Sequence, residues 1–166
     1  MTARVQHSYL SSGEVEQVVA VLSGPGWAQC RARALHDDSR VVERVERPHG
    51  GVTLVVSREL PQGAPGFLER FLPRDGRVVQ TDEWGPAVAG SRHGTWKVEI
   101  PGAPARLGGT MRLEPASGGS RYTLEGEVKV SLPLIGGRAE TFIAGLVDKL
   151  VAKEGAVLQD ALNGQS

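Results

Sequence analysis

Arg58 is the charged residue whose position most invites a chemical role. It shares strand parity with Val52, Leu54 and Val56, so an extended segment from Val52 to Leu60 turns it toward the same face as three apolar side chains. A guanidinium on such a face needs a partner, because an unpaired charge out of water is costly. Two partners suit it. Glu43 shares parity with Val41 and Val45 in the preceding segment, which allows a Glu43–Arg58 pair beside the apolar face. Alternatively, Arg58 grips the acidic head of a bound molecule through two parallel N–H groups. An ion pair at the rim is the plainer third arrangement. Glu83, beside Trp84 and close to Gln80 and Thr81, marks a second polar cluster. Its facing stays open, because Val78 and Val79 are both apolar. Glu83, Arg58 and Tyr122 are weak candidates for acid–base work, since one or two polar groups in an apolar pocket suffice and leave no linear motif.

The other reactive residue types form no recognisable constellation. His7, His36, His49 and His93 have no His or Cys partner at ligand spacing, so no local metal motif is present. The single cysteine, Cys30, excludes an internal disulfide and a cysteine-rich zinc site. Arg33 could lower its pKa, but a quiet, partly buried thiol is the simpler reading. Asp37 and Asp38 could meet a cation, or simply end a helix. Leu134 to Arg138 has glycines before a helix but lacks the Lys-Ser/Thr of a phosphate loop. An anion could still meet that helix start, although a tight turn explains the glycines. There is no Gly-x-Ser-x-Gly nucleophile elbow. Neither a metal nor a cofactor is implied.

The chain around these residues has 166 positions, 19 basic and 19 acidic, hence no formal net charge. That balance argues against nucleic acid as a partner, since counterion release needs a basic surface. Arginine dominates the basic residues, which reads as solvated surface. The length favours one domain over residues 1–166, large enough to bury a core without metal or disulfide help. No run approaches the ~20 apolar residues of a membrane helix, and the first twenty residues do not read as a signal peptide. The cytoplasm is the expected compartment.

Periodicity supplies the elements. Val5, His7 and Tyr9 alternate along a strand, after which Ser11 or Ser12 can cap a helix with Val15, Val18, Val19 and Leu22 on its apolar stripe. A second helix runs from Trp27 to Leu35. A hairpin follows, its strands separated by Arg47 to Gly51. Pro61 to Pro65 breaks the run, and residues 66–72 read as one or two turns of amphipathic helix or a folded loop. Strands over 77–84, 94–100, 106–114 and 120–131 come next, with turn-sized spacers that permit only antiparallel neighbours. One face of this sheet is apolar, so something must cover it. The segment 138–162 returns to a 3.6-residue period and would span ~37 Å, enough to cross five or six strands.

This order, strand, two helices, six strands and a long helix, resembles the helix-grip fold of the START-like superfamily, also called Bet v 1-like or SRPBCC. The stretches PGFLERFL, VVQTDEWGP, GTWKVEIPGAPARLGGTMRL and RYTLEGEVKVSLPLIGGRAE, with the final helix, are similar to an uncharacterised, mostly actinobacterial family within it, a domain of unknown function. The resemblance covers nearly the whole chain. It implies an α+β fold in which a curved antiparallel sheet of about seven strands wraps the C-terminal helix and leaves an apolar cavity. The superfamily includes lipid carriers, hormone receptors, polyketide cyclases and co-chaperones, so fold alone selects no function.

Trp96, Met111, Tyr122, Leu124, Phe142 and Leu146, with Arg58, are the candidate ligand-binding residues, set against plain core packing. The leading expectation is a binder or carrier of a small hydrophobic molecule, such as a lipid, isoprenoid or polyketide. The second is a cyclase- or dehydratase-type enzyme using polar groups in the same cavity. The third is a cavity-less interaction module, monomeric or dimerising through a sheet edge.

Overall fold

The computed structural model describes residues 2–60, 63–74 and 76–164. Pro61 and Gln62 of the expected turn lie outside the described residues. The elements run β1 (Ala3–Ser11), α1 (Val15–Leu22), α2 (Trp27–Leu35), β2 (Ser39–Glu46), β3 (Val52–Glu59), α3 (Gly66–Glu69), β4 (Arg77–Trp84), β5 (Arg92–Glu99), β6 (Ala105–Ala116), β7 (Gly119–Val130) and α4 (Gly136–Asn163). The seven strands form one curved antiparallel sheet in the order β1-β7-β6-β5-β4-β3-β2. β2 to β7 are a meander, each strand pairing with the next. β1 instead pairs with β7, from Ala3↔Val128 to Ser11↔Ser120, and α1 and α2 carry the chain across to the opposite edge.

The apolar alternation read from the sequence appears as burial. Trp96, Met111, Leu113, Tyr122, Leu124 and Val128 are buried in one cluster with Val15, Val18 and Val19 of α1 and Ala139, Ala144, Val151 and Leu158 of α4. Burying such side chains gives ~1.5–3 kcal/mol each and drives the layers together. The principal contacts of α4 are with β1 and β7 and with α1 and α2. The helix is long enough to cross more strands, yet it settles over one half of the sheet. The inner faces of β3, β4 and β5 also border the interior cavity described below.

Two local details depart from expectation. Neither Ser11 nor Ser12 caps α1; Glu14 does, with its N–H donating to Gln17 Oε1 at 2.9 Å. Ser12 is engaged elsewhere: Gln159 of α4 accepts its N–H at 3.0 Å and donates to its hydroxyl at 2.6 Å. Residues 66–72, by contrast, lie within expectation: one helical turn, Gly66–Glu69, continues as turns through Phe71 and Leu72. In β2 the register slips between Val41 and Glu43, so two residues oppose one and the parity reverses.

Close backbone approach explains two glycines. Trp96 stands over Gly126, where an added Cβ would lie 2.6 Å from Trp96 Cζ2, and its indole N–H donates to the Glu125 carbonyl at 3.1 Å. Gly155, on the inner side of α4, leaves room for the ring of Tyr9.

Candidate functional site

The space between α4 and β3–β7 is a cavity of about 470 Å³, within the size range of small-molecule sites. Its floor includes Leu54, Val56, Val78, Val98, Leu107 and Leu124; Phe142, Ile143, Leu146 and Leu150 of α4 form the roof. All seven candidate ligand-binding residues line it: Arg58, Trp96, Met111, Tyr122, Leu124, Phe142 and Leu146. At its inner wall Tyr122 stacks on Tyr9 at 4.8 Å and meets Trp84 edge-on at 6.4 Å. Burial pushes both phenols above their ordinary pKa.

The polar part of the wall is built by β3 and β4. Gln80 and Asp82 share parity with Val78 and Trp84 and point inward, while Glu83 points out and is exposed. This corrects the sequence-based choice of Glu83: the carboxylate that β4 turns into the cavity is its neighbour Asp82. Glu43 is corrected too. The bulge in β2 turns it outward, it is exposed, and Arg58 bonds elsewhere. Arg58 lies diagonally across the β3–β4 ladder from Gln80, where Val56 pairs with Gln80 and Arg58 with Val78. Its Nη2 donates to Gln80 Oε1. The Gln80 amide nitrogen in turn donates to Asp82 Oδ1 at 3.0 Å and Oδ2 at 3.1 Å. Gln80 thus stands between cation and anion, presenting oxygen to one and nitrogen to the other.

A second arginine closes the α2 end. Arg31 is 4% exposed. Its Nε donates to Glu154 Oε1 of α4 at 2.5 Å, and its Nη1 to Asp37 Oδ2 at 3.1 Å. Asp37 also accepts the Ser39 hydroxyl at 2.7 Å, and Asp38 accepts from Arg77. The two aspartates therefore serve separate arginines. Burial, then repulsion from Arg31, lowers Arg58 to about 10, which leaves it charged at neutral pH. Burial raises Asp82 to about 6, with Glu154 pushing the same way and Gln80, Arg58 and Arg31 opposing.

Sequence reasoning missed Asp82, Arg31, Tyr9 and Glu154 as cavity residues, and named Gln80 only within a polar cluster of open facing. Tyr9 was visible in the alternation of β1, and Asp82 would have been found once Trp84 set the parity. Arg31 and Glu154 carry no such signal. Cys30 is half-buried. No helix among the described residues is long and apolar enough to cross a membrane.

Several known proteins share this architecture. TTHA0849 from Thermus thermophilus superposes with a TM-score of 0.66 at 16% identity, over 99% of each chain. The di-domain ARO/CYC StfQ from the steffimycin biosynthetic pathway gives 0.63 at 13% identity, over 96% of this chain and 50% of that one. Norcoclaurine synthase from Thalictrum flavum gives 0.57 at 12%, over 98% and 87%. At these identities the likeness is one of fold, and the fold is the helix grip. In sequence, the chain is 35% identical over 105 residues to an uncharacterized protein of Mycobacterium tuberculosis strain H37Rv, covering 62% of this chain and 59% of that relative. An uncharacterized protein of Mycobacterium bovis matches equally. Residues 6–162 match the family described as protein of unknown function DUF2505. The chain therefore belongs to the DUF2505 family and has the helix-grip fold.

Proposed function

We propose that the protein binds or carries a small hydrophobic molecule, a lipid, isoprenoid or polyketide, in the cavity beneath α4. The observation that carries this reading is the cavity itself: about 470 Å³, with mostly apolar walls and a few convergent polar groups at one side. A void of this size in an otherwise close-packed interior gives up packing energy that a bound apolar molecule restores. It also weighs against the cavity-less interaction module. Native mass spectrometry of the purified protein tests the reading. A co-purifying apolar molecule is expected, and Leu146→Trp, which fills the roof of the cavity, is expected to exclude it while retaining the melting temperature. Ligand-free spectra throughout, with no uptake of an added neutral apolar dye, would overturn it.

A cyclase- or dehydratase-type enzyme is the second reading, favoured by Asp82. A carboxyl raised to about 6, hydrogen-bonded by Gln80 within a mostly apolar cavity, suits removal of a proton next to a carbonyl. Catalysed deuterium exchange at the acidic carbon of an apolar β-keto ester, lost in Asp82→Asn, would support it. Exchange no faster than in buffer would count against it.

A further inference from the structure

Two guanidinium groups on the cavity wall have unsatisfied N–H donors. Arg58 Nε and Arg31 Nη2 are buried and have no hydrogen-bond partner among the described residues. The two arginines come from different layers, β3 of the sheet and α2, and both line the same space. Their situations differ. Arg31 is already paired with Glu154 and Asp37. Arg58 is a half-buried cation with a buried Nε, and its hydrogen bond goes to a neutral amide rather than directly to a carboxylate, because Gln80 stands between it and Asp82. A partly buried charge without a directly bonded counter-ion and a buried donor left without an acceptor are both costly. An acceptor-only group between the two arginines relieves both, and a carboxylate does so with charge-assisted bonds and a geometry matched to the guanidinium edge.

Resting on the binding function proposed above, we infer that the ligand is a monocarboxylate with an apolar body, its head held by Arg58 and Arg31 and its body under α4, and that it enters with one proton from solvent taken up by Asp82. The charge count supports the proton. With Asp82 ionised, the wall holds Arg31, Arg58 and Lys153 against Asp37, Glu59, Asp82 and Glu154. An incoming carboxylate adds a negative charge beside these four, and the carboxyl most easily neutralised is Asp82, which burial already holds near 6. The groups around Asp82 are Gln80 on its own strand, Arg58 on β3, Arg31 on α2, Glu154 on α4, and the stacked phenols of Tyr9 and Tyr122; His36 and Lys153 border the same cavity. The ligand's carboxylate takes over the charge that Asp82 gives up, so the wall's net charge is unchanged on binding.

The test uses the neutral dye N-phenylnaphthylamine as a reporter of the cavity, displaced by dodecanoate or by methyl dodecanoate. Dodecanoate is expected to displace the dye at least about tenfold better than the ester at about pH 6, and to weaken by up to about tenfold per pH unit above that, while the ester does not change. In Arg58→Gln the preference for the acid should vanish while the dye still binds, which also shows that the variant is folded. Arg58→Lys should retain part of the preference. Asp82→Asn should retain the preference and lose the pH dependence. If the dye binds but acid and ester compete equally, the carboxylate inference is wrong and the binding function stands. If the acid wins with no pH dependence, the proton uptake is wrong. Failure of the dye to bind at all would overturn the binding function and this inference together.

Discussion

Gly155 of α4 lies directly against the ring of Tyr9 on β1, so close that a methyl group added there would sit 3.1 Å from Tyr9 Cγ. Tyr9 cannot retreat easily, because Tyr122 is stacked on it at 4.8 Å. Gly145, also on α4, has nothing within 4 Å of the corresponding position and is exposed. Helix propensity alone favours alanine over glycine by ~1 kcal/mol at both sites. The expectation is therefore opposite at the two positions: Gly145→Ala stabilises by ~0.5–1 kcal/mol, and Gly155→Ala destabilises by ~1 kcal/mol, since overpacking outweighs propensity. Urea unfolding of the two variants decides the matter. Equal stabilisation at both would mean that α4 and β1 are not packed through this contact.

Asp82 makes stability depend on pH in a direction opposite to that of most carboxylates. Its pKa is about 6 in the folded chain against an ordinary 3.8. The folded state holds the proton more tightly, so the site is most favourable below about pH 4 and becomes a burden as pH rises to 6. The full effect is about 2–3 kcal/mol. Asp82→Asn, which can still accept the Gln80 hydrogen bond, is expected to raise stability by ~2 kcal/mol at about pH 7.5 and to leave it unchanged at about pH 4. Denaturant midpoints measured across this range provide the check; a uniform gain would indicate a packing effect instead.

Arg92 ties three parts of the chain together. It is 8% exposed and donates to both oxygens of Glu16 at 3.0 and 2.7 Å, and to the carbonyls of Gly50 and Gly85 at 2.8 Å each. The two carbonyls are the more sheltered acceptors, because the Glu16 side chain is largely in solvent. Arg92→Met should therefore cost ~2–3 kcal/mol, and Glu16→Gln ~1 kcal/mol or less. Comparable losses in equilibrium unfolding would place the energy in the ion pair rather than in the loop carbonyls.

Gly126→Ala should be among the most disruptive single-methyl changes. The new Cβ would lie 2.6 Å from Trp96 Cζ2 and would also press on the Gly108 carbonyl. A loss of ~1–3 kcal/mol is expected, with a shifted tryptophan emission as the indole moves. An unchanged melting temperature would show that the sheet bends more freely here than the contact implies.

The sheet was legible in the sequence where its inner face is wholly apolar. Trp96 with Val98, Met111 with Leu113, and Tyr122 with Leu124 each declare a parity, and their strands lie where the alternation puts them. β4 did not declare one, and the reason is physical. Its inner face carries Gln80 and Asp82 because it meets a cavity rather than packed side chains, while Val79 sits on the other face. Polar groups that serve a cavity erase the periodicity from which facing is read. Arg31 was hidden differently, since one arginine in a helix that also carries Arg33 looks like solvated surface until Glu154, far along the chain, is seen beside it. Glu43 misled because a one-residue bulge leaves no mark in composition.

The pairing of β1 with β7 has a consequence for how the chain comes into being. Ala3–Ser11 is synthesised long before Gly119–Val130, yet its strand partner lies there. Until that partner is made, β1 has no strand neighbour for Val5 and Tyr9, and the loop to be closed holds every element from α1 to β6. Such distant pairing slows folding, because the entropy of closing the loop must be met before the strand pairing rewards it.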